Sequence, residues 1–253
     1  MENQNPPQTG DSDRTASSEL SPHPSTKPSS SLESPNPSQS SQTNPDPEQP
    51  QQPQTPSQPA TTNWASHMSI VGLPRTGKTT LAAKLFTALS KNSTCLFCNV
   101  QNEPYFAGFV PGRRADVGAL LSGTTQVWNC DPWEVKPKLL EIFLAQRASK
   151  TLNPLCIFVD EAHLIAKPGS MEFPESGHID EDCIIGVLCT TGCRWNIRMV
   201  WITQRPQFVD SGVYKTSRYF VFFTVNDADH YFFHRQGIDF VNPEWHNYAV
   251  IRS

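Results

Sequence analysis

The sequence predicts an α/β domain, a mainly parallel central sheet flanked by helices, preceded by a long N-terminal segment without a core of its own. Three observations predict it. From residue 67 onward, short apolar runs alternate with amphipathic stretches, the pattern of strands joined by helices. Residues 155–159 are apolar at every position, as a strand covered on both faces requires. Residues 1–60 hold 13 of the 23 prolines and no Phe, Tyr or Trp, too little apolar surface to offset the entropy of ordering. The expected division is a disordered Ser/Pro/Gln-rich tail over residues 1–66 and a folded domain over 67–253.

Along the domain, residues 67–71 read as a buried strand and 72–79 as a glycine-bounded loop. Residues 80–91 read as a helix, with Leu81, Leu85 and Leu89 on one face. Strands are expected at 94–100 and 126–130, separated by an irregular segment over 101–118. A helix begins between Pro132 and Pro137 and ends near Lys150, with Leu139, Leu140, Phe143 and Leu144 as its apolar stripe. The run at 155–159 is the central strand, and a helix is expected over 179–191. Strands follow at 197–203 and 218–225, with a helical turn between them, then a helix over 227–236 and a last strand over 248–251.

Charge divides along the same boundary. The chain's net charge is -4, but residues 1–60 hold seven acids and two bases, which leaves 18 bases and 17 acids for the rest. The acidity belongs to the tail and does not argue against a nucleic-acid partner for the domain. The sequence contains no apolar run long enough for a membrane span and no secretory signal at its start. Its seven cysteines are therefore expected to be reduced thiols in a cytoplasmic setting. Zinc binding by Cys95 and Cys98, or by His178, Cys183, Cys189 and Cys193, is a weak alternative because the spacing lacks a second Cys-x2-Cys. The tail reads as a spacer or partner tether, and Met68 stands at the first strand as a possible second start.

Gly72-Leu73-Pro74-Arg75-Thr76-Gly77-Lys78-Thr79 matches the phosphate-binding loop G-x-x-x-x-G-K-[ST] in full, with Thr80 next in the helix. The two glycines let the backbone turn its N–H groups inward around phosphate oxygens, and the following helix adds its N-terminal dipole. Lys78 would reach the β- and γ-phosphates of ATP, and the Thr79 hydroxyl would ligate Mg²⁺. No special role is expected for Pro74, Arg75 and Thr76.

Asp160 and Glu161 follow the buried strand directly. Asp160 is placed to hold Mg²⁺, and Glu161 to orient and deprotonate an attacking water. A water-activating Glu favours ATP hydrolysis over transfer to a metabolite, which disfavours a small-molecule kinase. His163 reads as a local structural histidine. Gln204 ends the next strand, where a neutral donor–acceptor can sense the γ-phosphate or position water.

The phosphate loop, Val159-Asp160-Glu161-Ala162-His163 and Ile202-Thr203-Gln204-Arg205-Pro206, in that order, resemble the FtsK–HerA superfamily of DNA-pumping ATPases. The compact size resembles its viral genome-packaging members. The resemblance covers about residues 68–225 and implies a RecA-like P-loop NTPase that works as a ring, usually a hexamer. ATP would sit at subunit interfaces, each completed by a neighbour's arginine. Arg194 stands near the expected position, although ungapped comparison from Gln204 points to Cys193; Arg198 and Arg218 are further candidates. The implied partners are double-stranded DNA, further copies of this chain, and a capsid or portal-type protein. Arg113 and Arg114, near Tyr105, Phe106 and Phe109, have the composition of a loop that contacts DNA backbone and stacks on bases. The alternatives are a filamentous-phage assembly ATPase of the Zot type and a non-motor P-loop switch or scaffold.

Overall fold

A computed structural model describes residues 66–102, 106, 108–173 and 177–253. The expected tail lies outside the described residues. Seven strands form one sheet: β1 (His67–Val71), β2 (Thr94–Asn99), β3 (Gln126–Asn129), β4 (Leu155–Val159), β5 (Ile197–Thr203), β6 (Ser217–Phe222) and β7 (Ala249–Arg252). Their order is β3-β2-β4-β5-β1-β6-β7. All neighbours pair in parallel except β6 with β7, which are antiparallel.

This order brings the carboxyl ends of β1, β2, β4 and β5 to one edge. Val71 pairs with Thr203, Val159 with Trp201 and Cys98 with Val159. Ligands bind at that edge in open parallel sheets, because the loops there are free to turn outward.

Helices cover both faces. On one, α1 (Lys78–Leu89) buries Ala82 and Phe86 against Phe97, Phe158, Val200 and Ile202. On the other lie α2 (Val117–Leu121), α3 (Pro132–Ala148), α4 (Ile184–Thr191), α5 (Ser211–Thr216) and α6 (Asp227–Arg235), which bury Leu120, Leu139, Phe143, Leu188, Tyr214 and Phe233. Two covered faces explain why β4 is apolar throughout. Helix α3 begins at Pro132, where a missing N–H costs nothing, and Glu134 accepts from the Asp131 amide at 2.8 Å.

Several boundaries differ from expectation. Helix α1 begins at Lys78, inside the phosphate loop. Residues 101–118 are not wholly irregular, since the Asp116 side chain accepts from the Ala119 amide and opens α2. The helix expected from residue 179 begins only at Ile184, because Asp180 accepts from the amides of Asp182 and Cys183 and holds a turn there. The last strand is antiparallel, so the sheet is mixed.

All seven cysteines are free thiols. Cys95 and Cys98 lie three residues apart on one strand and so face opposite sides of the sheet. They cannot share a metal ion. Among the described residues no helix is long and apolar enough to cross a membrane.

Candidate functional site

The phosphate loop leaves β1 between β5 and β6 and is tied to both. The Gly72 amide donates to the Thr203 carbonyl at 3.3 Å, and the Leu73 amide to the Thr224 carbonyl at 2.8 Å. A Cβ at Gly72 would stand 2.6 Å from Phe223 Cβ, so only glycine fits between loop and strand. Gly77 has φ 104°, in the left-handed region that favours glycine. Thr76, expected to be incidental, is buried, and its hydroxyl donates to the Leu73 carbonyl at 2.8 Å across the loop.

The loop opens on a cavity of about 400 Å³. Pro74, Arg75, Gly77, Lys78, Thr79 and Thr80 line it from the loop and the first turn of α1, with Gln101, Asp160, Glu161, Thr203 and Gln204 opposite. The residues expected to act on phosphate, metal and water are thus gathered in one place, although they are spread over more than 120 residues of sequence. Leu73 contributes its carbonyl, which accepts from Lys78 Nζ at 2.6 Å.

Asp160 and Glu161 are 3 % and 7 % exposed. Asp160 accepts from the Glu161 amide at 3.0 Å through its own Oδ1. Glu161 has φ 51°, a left-handed conformation rare for its type. Its Oε1 accepts from Gln204 Nε2 at 3.0 Å and from Gln101 Nε2. Its Oε2 stands 3.1 Å from His163 Nδ1, a close approach without hydrogen-bond alignment. His163 Nδ1 also lies 3.4 Å from the Thr203 hydroxyl.

Lys78 is buried against this acid pair. Desolvation lowers its pKa from 10.5 to about 8, while the charges of Glu161 and Asp160 pull the other way. Two buried carboxylates face the buried lysine, and Arg75 lines the cavity with its side chain exposed. Hard oxygen donors from Asp160 and Thr79 suit Mg²⁺, which takes few protein ligands and keeps waters and phosphates in its remaining positions. The residues present therefore fit both a polyphosphate and its metal.

One residue of the site, Gln101, was not singled out by sequence. Gln101 follows β2, and the pairing of β2 with β4 carries it to Glu161. His163, read as a local structural histidine, stands beside the same carboxylate. The only sequence signal for Gln101 was a polar residue at a strand end, which is common.

The candidate arginine is not brought to this cavity. Arg194 is exposed in a turn before β5, and the seven residues of β5 put about 20 Å between that turn and Gln204. Arg198 and Arg218 lie in β5 and at the start of β6, also away from the strand ends that form the site. Within one copy of the chain none of them reaches this cavity.

The basic–aromatic loop needs correction. Phe106 is 4 % exposed and packs on Phe97 at 4.5 Å between ring centroids. Phe109 packs edge-on against Phe86 at 5.0 Å. Phe106 belongs to the core beneath α1 and is not available to stack on bases, while Phe109 is partly buried against that core. Arg113 and Arg114 are exposed, and Tyr105 lies outside the described residues.

No protein-family model and no curated protein matches this chain. Solved structures do match. The genome packaging NTPase B204 from Sulfolobus turreted icosahedral virus 2, in complex with sulfate, aligns with a TM-score of 0.58 and 14% identity over 74% of this chain and 90% of that one. Its complex with ATP-gammaS gives 0.57 and 14% over 75% and 93%. The N-terminal domain of zonular occludens toxin from Neisseria meningitidis gives only 0.37 and 14% over 64% and 78%, too distant to support the Zot-type alternative. The fold anticipated from three short motifs is therefore the fold observed, a RecA-like P-loop NTPase similar in architecture to a viral genome-packaging NTPase.

Proposed function

We propose that this chain hydrolyses ATP with Mg²⁺ to move double-stranded DNA, working as a ring of identical subunits in the packaging of a viral genome. The single observation that carries the hydrolytic part is the Glu161 carboxylate, held by Gln204 and Gln101 across the cavity from Lys78 and Thr79. B204, whose fold this chain shares, is a genome packaging NTPase with structures in complex with AMP and with ATP-gammaS, which supports nucleotide as the ligand and packaging as the role.

Each residue then has a defined task. Lys78 leaves the Leu73 carbonyl for the phosphate oxygens, and the loop amides surround them. Thr79 and Asp160 would hold Mg²⁺, which would supply positive charge against that developing on the phosphates. Glu161 accepts the proton of the attacking water. Gln204 bonds Glu161 and also lines the cavity, so it can report phosphate occupancy to the loop that follows β5. Arg194, or one of its alternatives, completes a neighbour's site in trans.

The test is ATP turnover by the full chain with and without linear double-stranded DNA. Stimulation that falls steeply between about 50 and 200 mM salt is expected, as phosphate-backbone contact dictates. Turnover indifferent to DNA would favour a nucleotide switch or scaffold.

A further inference from the structure

Glu161 stands in the loop after β4, and Gln204 begins the loop after β5. Both loops are wound tightly from those residues onward. After β4, the Leu164 amide donates to the Glu161 carbonyl at 2.8 Å, and the Ile165 and Ala166 amides donate to the Ala162 carbonyl at 3.1 and 2.8 Å. After β5, the Phe208 amide donates to the Arg205 carbonyl and the Val209 amide to the Pro206 carbonyl, both at 3.1 Å. The buried Tyr214 hydroxyl adds a bond to the Pro206 carbonyl at 3.1 Å. Each site residue is thus tied to the far end of its own turn.

The two turns meet at Asp210. Its amide donates to the Ala166 carbonyl at 2.8 Å. Its Oδ2 accepts from the Gly169 amide at 2.8 Å, and its Oδ1 from the Gly212 amide at 2.9 Å. Ala166 and Val209, at the junction, are buried. The loops are therefore joined at two places. Inside the cavity, Gln204 Nε2 donates to Glu161 Oε1 at 3.0 Å. Outside it, Asp210 holds Ala166 and Gly169 without lining the cavity.

Capping of α5 does not by itself account for Asp210. The Gly212 amide is a first-turn donor of α5, and one side-chain oxygen satisfies it; Ser, Thr or Asn would serve. Asn226 caps α6 in that way, with one contact to the Asp229 amide at 2.7 Å. The second oxygen of Asp210 goes to a residue 41 positions away, on the other loop. A carboxylate presents an acceptor on each of two oxygens, whereas a hydroxyl or an amide presents only one oxygen.

We propose that Asp210 is a positioning residue for hydrolysis, a clamp that fixes the spacing of the two loops so that the Gln204 amide and the Glu161 carboxylate stay aligned. The role deepens the hydrolytic reading and rests on it. Gln204 lines the cavity and moves with what fills it. The contacts of Asp210 lie outside, so they hold while the cavity changes, and a shift of the Gln204 loop carries the Glu161 loop with it.

Turnover, ATP affinity and thermal melting of the full chain separate clamping from capping. Asp210→Ser keeps an acceptor for the Gly212 amide and loses the bond to Gly169. Asp210→Asn keeps one acceptor oxygen of the two. Both should melt near the wild type and bind ATP with unchanged Kd. Both should lose kcat by on the order of 10- to 100-fold, the penalty for a catalytic group misplaced by about an ångström. Unchanged kcat in both variants overturns the positioning role. A joint loss of melting temperature and ATP affinity also overturns it, since Asp210 would then support the fold alone. Wild-type protein that does not hydrolyse ATP overturns the hydrolytic reading, and this one with it.

Discussion

Lys78 offers a prediction that can be worked from the structure. Its ammonium is buried beside two carboxylates, and desolvation dominates, lowering its pKa from 10.5 to about 8. At about 1.4 kcal/mol per pH unit, holding the amine protonated in the empty site costs about 3 kcal/mol. The unfolded chain binds this proton up to pH 10.5 and the folded chain only to about 8. Between those values the unfolded state carries more protons, so stability from this group rises with pH. The cost is present below pH 8 and is relieved as the amine deprotonates.

Bound phosphate reverses the balance, because its oxygens favour the charged amine. Nucleotide should therefore bind to the protonated form and take up a proton when it binds above pH 8. The protonated fraction of the free site falls from about nine-tenths at pH 7 to about one-tenth at pH 9. ATP affinity should fall about tenfold over that interval, where the γ-phosphate is already ionised. Titration calorimetry at pH 8.5, in two buffers of different ionisation enthalpy, counts the proton directly. Lys78→Met should bind more weakly and lose the pH dependence. Affinity that is flat from pH 7 to 9 in the wild type, with no proton taken up, would refute the reasoning.

Other predictions concern neighbouring groups. Glu161→Gln should keep ATP affinity but lose turnover by at least about 100-fold, the usual contribution of a general base; single-turnover kinetics with unchanged rate would remove Glu161 from the chemistry. Gln101→Ala frees one of the two amide contacts on Glu161 Oε1, so turnover without DNA should rise a few-fold at unchanged Kd, and a fall would mean that Gln101 aligns the carboxylate. His67 is buried, accepts from the Met199 amide at 3.1 Å, and has its pKa lowered to about 4 by desolvation. The unfolded chain takes up this proton near pH 6.5 and the folded chain only near 4, so stability is full above 6.5 and falls as the pH drops, by about 2 kcal/mol at pH 5. His67→Asn, which keeps an acceptor, should flatten that dependence in urea titrations at pH 7 and 5; an unchanged slope would assign the acid sensitivity to other groups.

The parts of the site legible in sequence share one property: each is local. The loop from Gly72 to Thr79 and the Asp160–Glu161 pair are contiguous segments at the ends of apolar runs, where a parallel sheet exposes its functional residues. Gln101 was hidden because its role depends on β2 lying beside β4, and strand order is not written in any one segment. Phe106 and Phe109 misled for the same reason. Beside Arg113 and Arg114 they look like a surface loop, but their partners are Phe86 and Phe97, on other elements. The start of α4 was overextended because Ile179 continues the apolar pattern, while Asp180 holds the backbone in a competing turn. Arg194 shows a different limit. Its proposed partner is on another copy of the chain, so its position in one copy only excludes a role in its own site.

The central claim is that ATP turnover moves this chain along DNA, and displacement of a third strand from a duplex tests it most directly. A triplex-forming oligonucleotide is placed on linear double-stranded DNA, and its release is followed with the full chain and Mg²⁺. The account predicts release that requires ATP and is abolished in Glu161→Gln, although that variant still binds both nucleotide and DNA. ATP turnover at full rate with the third strand left in place would contradict it.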